Sequence, residues 1–148
     1  MTSPAFAVRP ARPGERARIE DLLQEAGLTR AGLGDPQCAI WVAVAGAELV
    51  GVIGLERYGR VGLVRSVATR SEWRGRGVAQ ALCREVFAAA EAAGVSRLYL
   101  LTETAAEYFR RLGFVNVPRA AADPLLAGSA EFQSGHCASA VLMLRAAP

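Results

Sequence analysis

The chain has 148 residues, 52% of them hydrophobic and 21% charged, with a formal net charge of +3. This length predicts a single domain, residues 1–148, which can bury a core without metals or disulfides. The apolar blocks never reach the roughly 18 residues of a membrane span and no secretory signal is evident, so we expect a cytoplasmic protein that does not bind membranes. The small positive charge favours a local anionic ligand over nucleic acid.

The three cysteines, Cys38, Cys83 and Cys137, are odd in number and lie outside any CxxC spacing. This pattern argues against a disulfide framework and against a zinc site. We therefore expect reduced, mostly buried thiols and no bound metal.

The N-terminal half of the chain predicts a strand, an amphipathic helix and three further strands. Apolar residues recurring at spacings of three and four indicate the helix, and Gly27 suits its C-terminal stop. The turn Ala45-Gly46-Ala47 is expected to join the second and third strands as a hairpin. The predicted bounds are 6–8, 14–26, 39–44, 48–55 and 63–69.

The C-terminal half alternates helices and strands. A three-and-four apolar spacing predicts a long helix over 78–93 that stops at Gly94. The continuous apolar run 98–101 is typical of a strand buried on both faces, and 140–144 predicts a last strand.

A short helix is expected between these two strands. Thr104 and Glu107 fit a capping box at its start, Gly113 suits its end, and a further helical turn is expected around Leu125. The whole order, β-α-β-β-β-α-β-α-β, predicts an α/β or α+β domain.

The segment 73–79 reads WRGRGVA and lies between a predicted strand and a predicted helix. The first N–H groups of a helix have no partners within the helix, glycines let a ligand approach the main chain, and the helix dipole favours negative charge. Arg74 adds charge, and Arg76 either does so or faces solvent. The segment lacks the spacing of a dinucleotide fingerprint and the Lys-Ser/Thr of a P-loop. We predict a phosphate or pyrophosphate site, with a plain glycine turn as the alternative.

Two segments resemble motifs of the GNAT N-acetyltransferase superfamily. Arg74-x-x-Gly77-x-Ala79, after a strand that ends in SVAT at 66–69, resembles motif A, and 98–102 followed by TAAEYFRRLGF resembles motif B. The resemblance covers about the whole chain and implies the GNAT fold, a mixed and mostly antiparallel central sheet flanked by helices.

A narrower resemblance points to the small acetyltransferases associated with bacterial arsenic-resistance operons. The segments similar to them are GLVRSVAT at 62–69, LYLLTETAAEYFRRLGF at 98–114 and SAEFQSGHCASAVLM at 129–143. This resemblance does not fix the acceptor.

The superfamily resemblance implies acetyl-CoA as cosubstrate and a small-molecule amine as acceptor. Backbone atoms at 67–69 would face the acetyl and pantetheine end, and main-chain N–H groups of 74–79 would take the pyrophosphate. The cofactor-contacting residues implied are Val67, Ala68, Thr69, Arg74, Gly75, Arg76, Gly77, Val78, Ala79 and Phe109. Family members commonly have an aliphatic residue in place of Thr69 and a proline in place of Ser71, departures that backbone contacts should survive. A homodimer through the apolar tail strand stays open.

The expected acid for the departing thiolate is missing from its usual position. Many GNAT enzymes have a tyrosine four residues before the glycine of LGF, where this chain has Phe109. Tyr108 is one residue away, a rotation of about 100° on a helix. Tyr108 is therefore a candidate acid or a packing residue, and unassisted loss of a thiol with a pKa of about 8.5 is the third option.

Candidate bases are Glu103, at the end of the buried strand, and Glu56, at the end of an earlier one. Glu103 could instead complement a helix dipole, and His136 is a weaker candidate. Arg65, inside a strand, needs an anion: it pairs with Glu56 or Glu103, or it receives a carboxylate of the acceptor. Arg65 and Glu56 are thus the substrate-binding candidates, and the carboxylate option would suit an amino-acid-like acceptor.

Two other functions stay open. Phe109 is compatible with a non-catalytic acyl-CoA-binding or regulatory domain, which would bind the cofactor without turnover. An acetyltransferase of protein N-termini or ribosomal proteins would need an acceptor groove wide enough for a peptide.

Overall fold

One seven-stranded sheet organises the chain in the computed structural model, which describes residues 5–133 and 140–146. The strands are β1 (Ala7–Pro10), β2 (Cys38–Ala45), β3 (Glu48–Tyr58), β4 (Val61–Thr69), β5 (Arg97–Thr102), β6 (Val115–Val117) and β7 (Val141–Ala146). Their order across the sheet is β1-β2-β3-β4-β5-β7-β6. Only the central pair, β4 and β5, is parallel; the other neighbours are antiparallel.

Helices cover both faces of this sheet. They are α1 (Arg16–Glu25), α2 (Val78–Ala92), α3 (Ala106–Arg111) and α4 (Ala130–Gln133), and short 3-10 turns lie at Pro13–Glu15, Ser71–Trp73, Arg119–Ala121 and Pro124–Gly128. On one face Leu82 and Val86 of α2 pack in a buried cluster with Ile53 and Val64. On the other face the buried side of α1 packs in a separate cluster that contains Val52. Neighbouring residues of β3 thus serve opposite cores, as the alternation of a strand requires.

A β-bulge interrupts β4 at the centre of the sheet. Val52 pairs with Ala68 and Gly54 with Arg65, so Ile53 of β3 faces two residues of β4. One of these two, Ser66, has a left-handed φ of 60°. This conformation is uncommon outside glycine and typical of a bulge that re-aims a strand.

The predicted fold class and element order are confirmed, with differences in detail. The first strand runs from Ala7 to Pro10, past the predicted 6–8, and β6 and α4 were not predicted. The capping box was wrong: the N-cap of α3 is Ala105, and its N–H donates to Thr102 Oγ1 at 3.0 Å. The hydroxyl that caps this turn thus comes from Thr102 at the end of β5, which is not part of the predicted capping-box pattern.

Candidate active site

A cavity of about 480 Å³ opens where β4 and β5 separate. The two strands pair only over residues 61–64 and 97–100, and both continue beyond that point. Their diverging ends form two walls, and the turn after β5 together with α3 closes one side. The predicted residues on its lining are Arg65, Val67, Ala68, Thr69, Arg74, Ala79, Glu103, Tyr108 and Phe109.

The glycine-rich segment lies at the start of α2, beside this cavity. Gly75 and Gly77 have left-handed φ values of 77° and 85°, which favour glycine, and a Cβ at either position would meet nothing within 4 Å. Gly77 is the N-cap of α2, and the first intrahelical bond runs from the N–H of Ala81 to its carbonyl. The amides of Val78 and the two residues after it precede that bond. They form an open cradle of N–H groups that suits an anion.

The two arginines of this segment differ. Arg74 lines the cavity and is exposed, so its charge is available to a ligand there. The guanidinium of Arg76 lies 4.8 Å from the centre of the Trp73 ring, in a cation–π contact.

Phe109 and Tyr108 form an aromatic corner of the cavity. The buried Phe109 ring contacts the rings of Tyr108 and Phe114 edge-on, with centroid distances of 5.3 and 5.8 Å. The hydroxyl of Tyr108 is buried, and within the described residues it has no hydrogen-bond partner. Burial raises the pKa of Tyr108, and the nearby Cys83 adds to the rise, so the hydroxyl is neutral at pH 7 and able to donate.

Arg65 belongs to the cavity wall, and its side chain is fully buried. Its guanidinium contacts two carboxylates, one hydroxyl and two main-chain carbonyls. The partners are Glu56 Oε2 at 2.8 Å, Glu131 Oε1 at 3.6 Å, Ser66 Oγ at 2.9 Å, Thr29 O at 3.3 Å and Ala31 O. Of the pairings that the sequence left open, the structure contains the one with Glu56.

Glu56 lies behind Arg65, with 1% of its surface exposed. Besides the bond from Arg65, it accepts the hydroxyl hydrogen of Tyr58 at 2.6 Å. Burial, followed by this hydrogen bond to a carboxylate, raises the pKa of Tyr58. Glu103 is placed differently, since it lies in the turn after β5 and lines the cavity.

Of the cysteines that the structure describes, Cys83 is a buried thiol and Cys38 a half-buried one. Burial raises the pKa of Cys38 to about 11 and that of Cys83 to about 12. Both are therefore protonated at neutral pH and poor nucleophiles. Cys137 and the candidate base His136 lie outside the described residues.

Thr29 and Glu131 are polar residues of the cavity wall that sequence reasoning did not single out. Thr29 lies in the long connection from α1 to β2, and Glu131 lies on the single turn α4. The connection has no motif or apolar period that would mark Thr29, and the resemblance of 129–143 assigns no role to Glu131.

A family model described as an acetyltransferase (GNAT) domain matches residues 36–116, more than half of the chain. A comparison with curated proteins returned no match. In the residues that the structure describes, no helix is both long and apolar enough to cross a membrane.

Solved structures share the fold at low sequence identity. Rv2747 from Mycobacterium tuberculosis, in complex with CoA and NLQ, is 20% identical with a TM-score of 0.80, over 96% of this chain and 99% of that one. A GNAT-family acetyltransferase from Staphylococcus aureus Mu50 is 15% identical with a TM-score of 0.78, over 97% and 100%.

N-acetylglutamate synthase from Neisseria gonorrhoeae, complexed with coenzyme A and N-acetyl-glutamate, is 18% identical with a TM-score of 0.81. The match covers 99% of this chain but only 36% of the synthase, so this chain spans about a third of that protein. Since the family model runs from β2 through α3 and so takes in both diverging strands and the glycine-rich helix start, the chain belongs to the GNAT family of acetyltransferases.

Proposed function

We propose that the chain transfers an acetyl group from acetyl-CoA directly to the amine of a small acceptor. The observation that supports this most is the cavity between the diverging strands, with an open glycine cradle beside it. The cradle fits a pyrophosphate, because main-chain N–H groups and a helix dipole converge there. The buried Tyr108 hydroxyl is a further fit, since a neutral donor with no partner among the described residues can be satisfied by a ligand.

In this proposal the acceptor nitrogen attacks the thioester carbonyl carbon, and the carbon–sulfur bond breaks after a tetrahedral intermediate. Backbone groups of Val67, Ala68 and Thr69 hold the acetyl and pantetheine end. Glu103 accepts the proton that the amine loses, and Tyr108 donates a proton to the departing thiolate. Both side chains line the cavity, which supports these roles.

Turnover tests the proposal. Purified protein is incubated with acetyl-CoA and a panel of amines, CoA thiol release is followed with time, and the N-acetyl product is identified by mass spectrometry. We expect thiol release that depends on the amine and a product heavier by one acetyl group. Tight acetyl-CoA binding with no turnover on any amine would instead favour a non-catalytic acyl-CoA-binding domain, the alternative that the buried Phe109 supports.

The cofactor end is tested by Gly77→Glu. A carboxylate in the cradle repels the pyrophosphate and the substitution strains a left-handed φ of 85°, so we expect acetyl-CoA binding to be lost in calorimetry. Gly46→Glu is the matched control, because Gly46 also has a left-handed φ of 60° and open space around it but lies in the β2–β3 turn. Equal affinity of both variants for acetyl-CoA would refute the assignment.

We extend the proposal to an amino-acid-like acceptor linked to arsenic resistance. It is supported by the sequence resemblance at 62–69, 98–114 and 129–143, the last of which lies partly outside the described residues. An amino acid with an arsenic-containing side chain, tested against its arsenic-free analogue, would check it: we expect N-acetylation of the arsenical, and acetylation of the analogue alone would contradict the extension.

We also propose that residues 1–148 form a single GNAT domain, as the one sheet spanning β1 to β7 supports. The cytoplasmic location, the homodimer and the absence of nucleic-acid partners stay predictions from the sequence.

A further inference from the structure

In the part of the chain that the structure describes, the guanidinium of Arg65 has no exposed surface and is enclosed by protein partners. A guanidinium carries five N–H donors. Nε donates to Ser66, Nη1 donates to Glu56 and Ala31, and Nη2 donates to Thr29, while Nη2 also lies 3.6 Å from Glu131 Oε1 in an ion pair. A carboxylate of the acceptor could bind Arg65 only by displacing one of these buried partners.

Three of these five partners, Thr29, Ser66 and Glu131, also lie on the cavity wall. They belong to three separate segments: the connection after α1, the bulge in β4, and α4. Arg65 therefore fixes the relative positions of the segments that surround the acceptor side of the cavity.

Among these three wall residues, only Glu131 carries a charge. Its side chain is 12% exposed, and its Oε1 lies 3.6 Å from Nη2 of Arg65. A carboxylate has about four acceptor sites, so it can accept hydrogen bonds from a ligand while it keeps its protein partners. A protonated amine is the ligand group that supplies both positive charge and donors.

We propose that Glu131 binds the acceptor's amine as an ammonium, and that Arg65 is a positioning residue that holds Glu131 and the connection after α1. The bound ammonium loses one proton to bulk water before its nitrogen attacks, so the step through Glu103 and Tyr108 starts from the neutral amine. This rests on the proposed function and deepens it: the acceptor is recognised by its ammonium, and an acceptor carboxylate is not required.

A direct measurement of amine binding tests the role of Glu131 and does not require acetyl transfer. The protein is loaded with CoA, and the probes are the common L-amino acids and unbranched alkyl amines, with the amide and the 2-hydroxy acid of each amino acid that binds. Dissociation constants are measured by ligand-observed NMR. We expect amides to bind as well as their amino acids and hydroxy acids not to bind, and the reverse order would overturn the proposal. So would a wild-type protein that binds none of the amines.

The variant Glu131→Gln should weaken amine binding about 10-fold to 100-fold, the range for a hydrogen bond to a charged group, and leave CoA affinity unchanged. Glu107→Gln is the matched control, an exposed carboxylate of α3 paired with Arg110, and should change neither constant. Unchanged amine affinity in folded Glu131→Gln overturns the proposal. If that variant does not fold, Glu131→Asp takes its place; we expect several-fold weaker amine binding, and wild-type affinity again overturns it.

The positioning role of Arg65 is tested by a double-mutant cycle. Arg65→Lys keeps the charge with fewer donors and should raise the dissociation constant of the amine but not that of CoA. Adding it to Glu131→Gln should weaken amine binding little further, because Arg65 acts through Glu131. Full additivity of the two changes would contradict this role. Amine binding by a protein that shows no acetyl transfer would leave this inference standing and refute the proposed function.

Discussion

The hydroxyl of Tyr108 is buried on the cavity wall, without a hydrogen-bond partner among the residues described. A buried polar group in that state destabilises the folded protein by about 1–3 kcal/mol. Since the phenyl ring of Tyr108 packs against the main core, the hydroxyl is the part that packing does not explain. In the proposed function, the departing thiolate would give it a partner.

We therefore predict opposite effects of Tyr108→Phe on stability and on turnover. In the ligand-free protein the free energy of unfolding should stay the same or rise by up to about 1 kcal/mol, because an unsatisfied group is removed. The kcat should fall about 100-fold if the hydroxyl is the acid. Urea unfolding and steady-state kinetics measure the two; a destabilised variant with wild-type kcat would assign the hydroxyl to packing alone.

Glu15 is the centre of a second polar cluster, at the start of α1. Its carboxylate accepts two bonds from Arg9, at 2.6 and 3.0 Å, one from the N–H of Arg12 at 2.8 Å, and one from Arg18 at 3.2 Å. The bonds from Arg9, against the opposing effect of burial, lower the pKa of Glu15 from 4.5 to about 2. A carboxyl group whose pKa falls on folding stabilises the protein above its unfolded pKa.

We predict that Glu15→Gln lowers the free energy of unfolding by about 1 kcal/mol at pH 7. The difference from wild type should hold down to about pH 4.5 and then shrink as the pH falls towards 2, because in that range Glu15 of the unfolded chain takes up a proton while the folded carboxylate stays ionised. Urea unfolding between pH 3 and 7 measures it, and a difference that is independent of pH would show that the charge is not involved.

At the scale of elements, the contact between α2 and β3 sets the position of the cradle. A Cβ at Gly51 would lie 2.6 Å from Val78 Cγ1 and 3.1 Å from Leu82 Cδ1. Val78 is the first residue of α2, and its branched side chain has little rotamer freedom in a helix. The absence of a side chain at Gly51 thus lets α2 begin close to the sheet.

We predict that Gly51→Ala destabilises the fold by about 1–3 kcal/mol and weakens acetyl-CoA binding, because α2 must move away from β3 at the turn that forms the cradle. Gly14→Ala is the control: a Cβ there meets nothing within 4 Å, so stability should be unchanged or rise by up to about 1 kcal/mol. Thermal unfolding and calorimetry measure both. Equal behaviour of the two variants would contradict the close packing.

Long periodic elements were the predictable ones. The helix predicted over 78–93 is α2, Val78–Ala92, because its three-and-four spacing is a local property of the sequence. In contrast, β6 has only three residues and is defined by pairing of Val115 and its neighbours with β7. A strand that forms through such pairing leaves little local signal.

At the scale of the whole molecule, the candidate site combines local and distant contributions. The glycine-rich cradle is one continuous segment, so its pattern could be found in the sequence. The partners of Arg65 range from Thr29 to Glu131. Many acceptors in the sequence could pair with this guanidinium, and only the fold determines which of them lie near it. The pairing could therefore not be predicted from the sequence.

A ligand that binds only the folded chain should stabilise all of it. At 100 times its dissociation constant such a ligand adds about 2.7 kcal/mol, which for a domain of this size raises Tm by about 5–10 °C. We predict this shift for acetyl-CoA in scanning calorimetry and no shift for Gly77→Glu under the same conditions. A wild-type Tm that does not respond to acetyl-CoA would contradict the cofactor assignment.

The bulge at Ser66 also determines which core each later residue of β4 serves. Val64 and Val67 pack on the α2 side, whereas Ala68 packs on the α1 side. Residues of one face are normally two apart, but Val64 and Val67 are three apart, since Ser66 adds one residue to the count. If β4 kept all its residues but lacked the bulge, regular alternation would place Val67 on the α1 side, where Ala68 now packs. Because of this one extra residue, the strand can bend away from β5 while the residues on either side of the bulge still point into the correct cores.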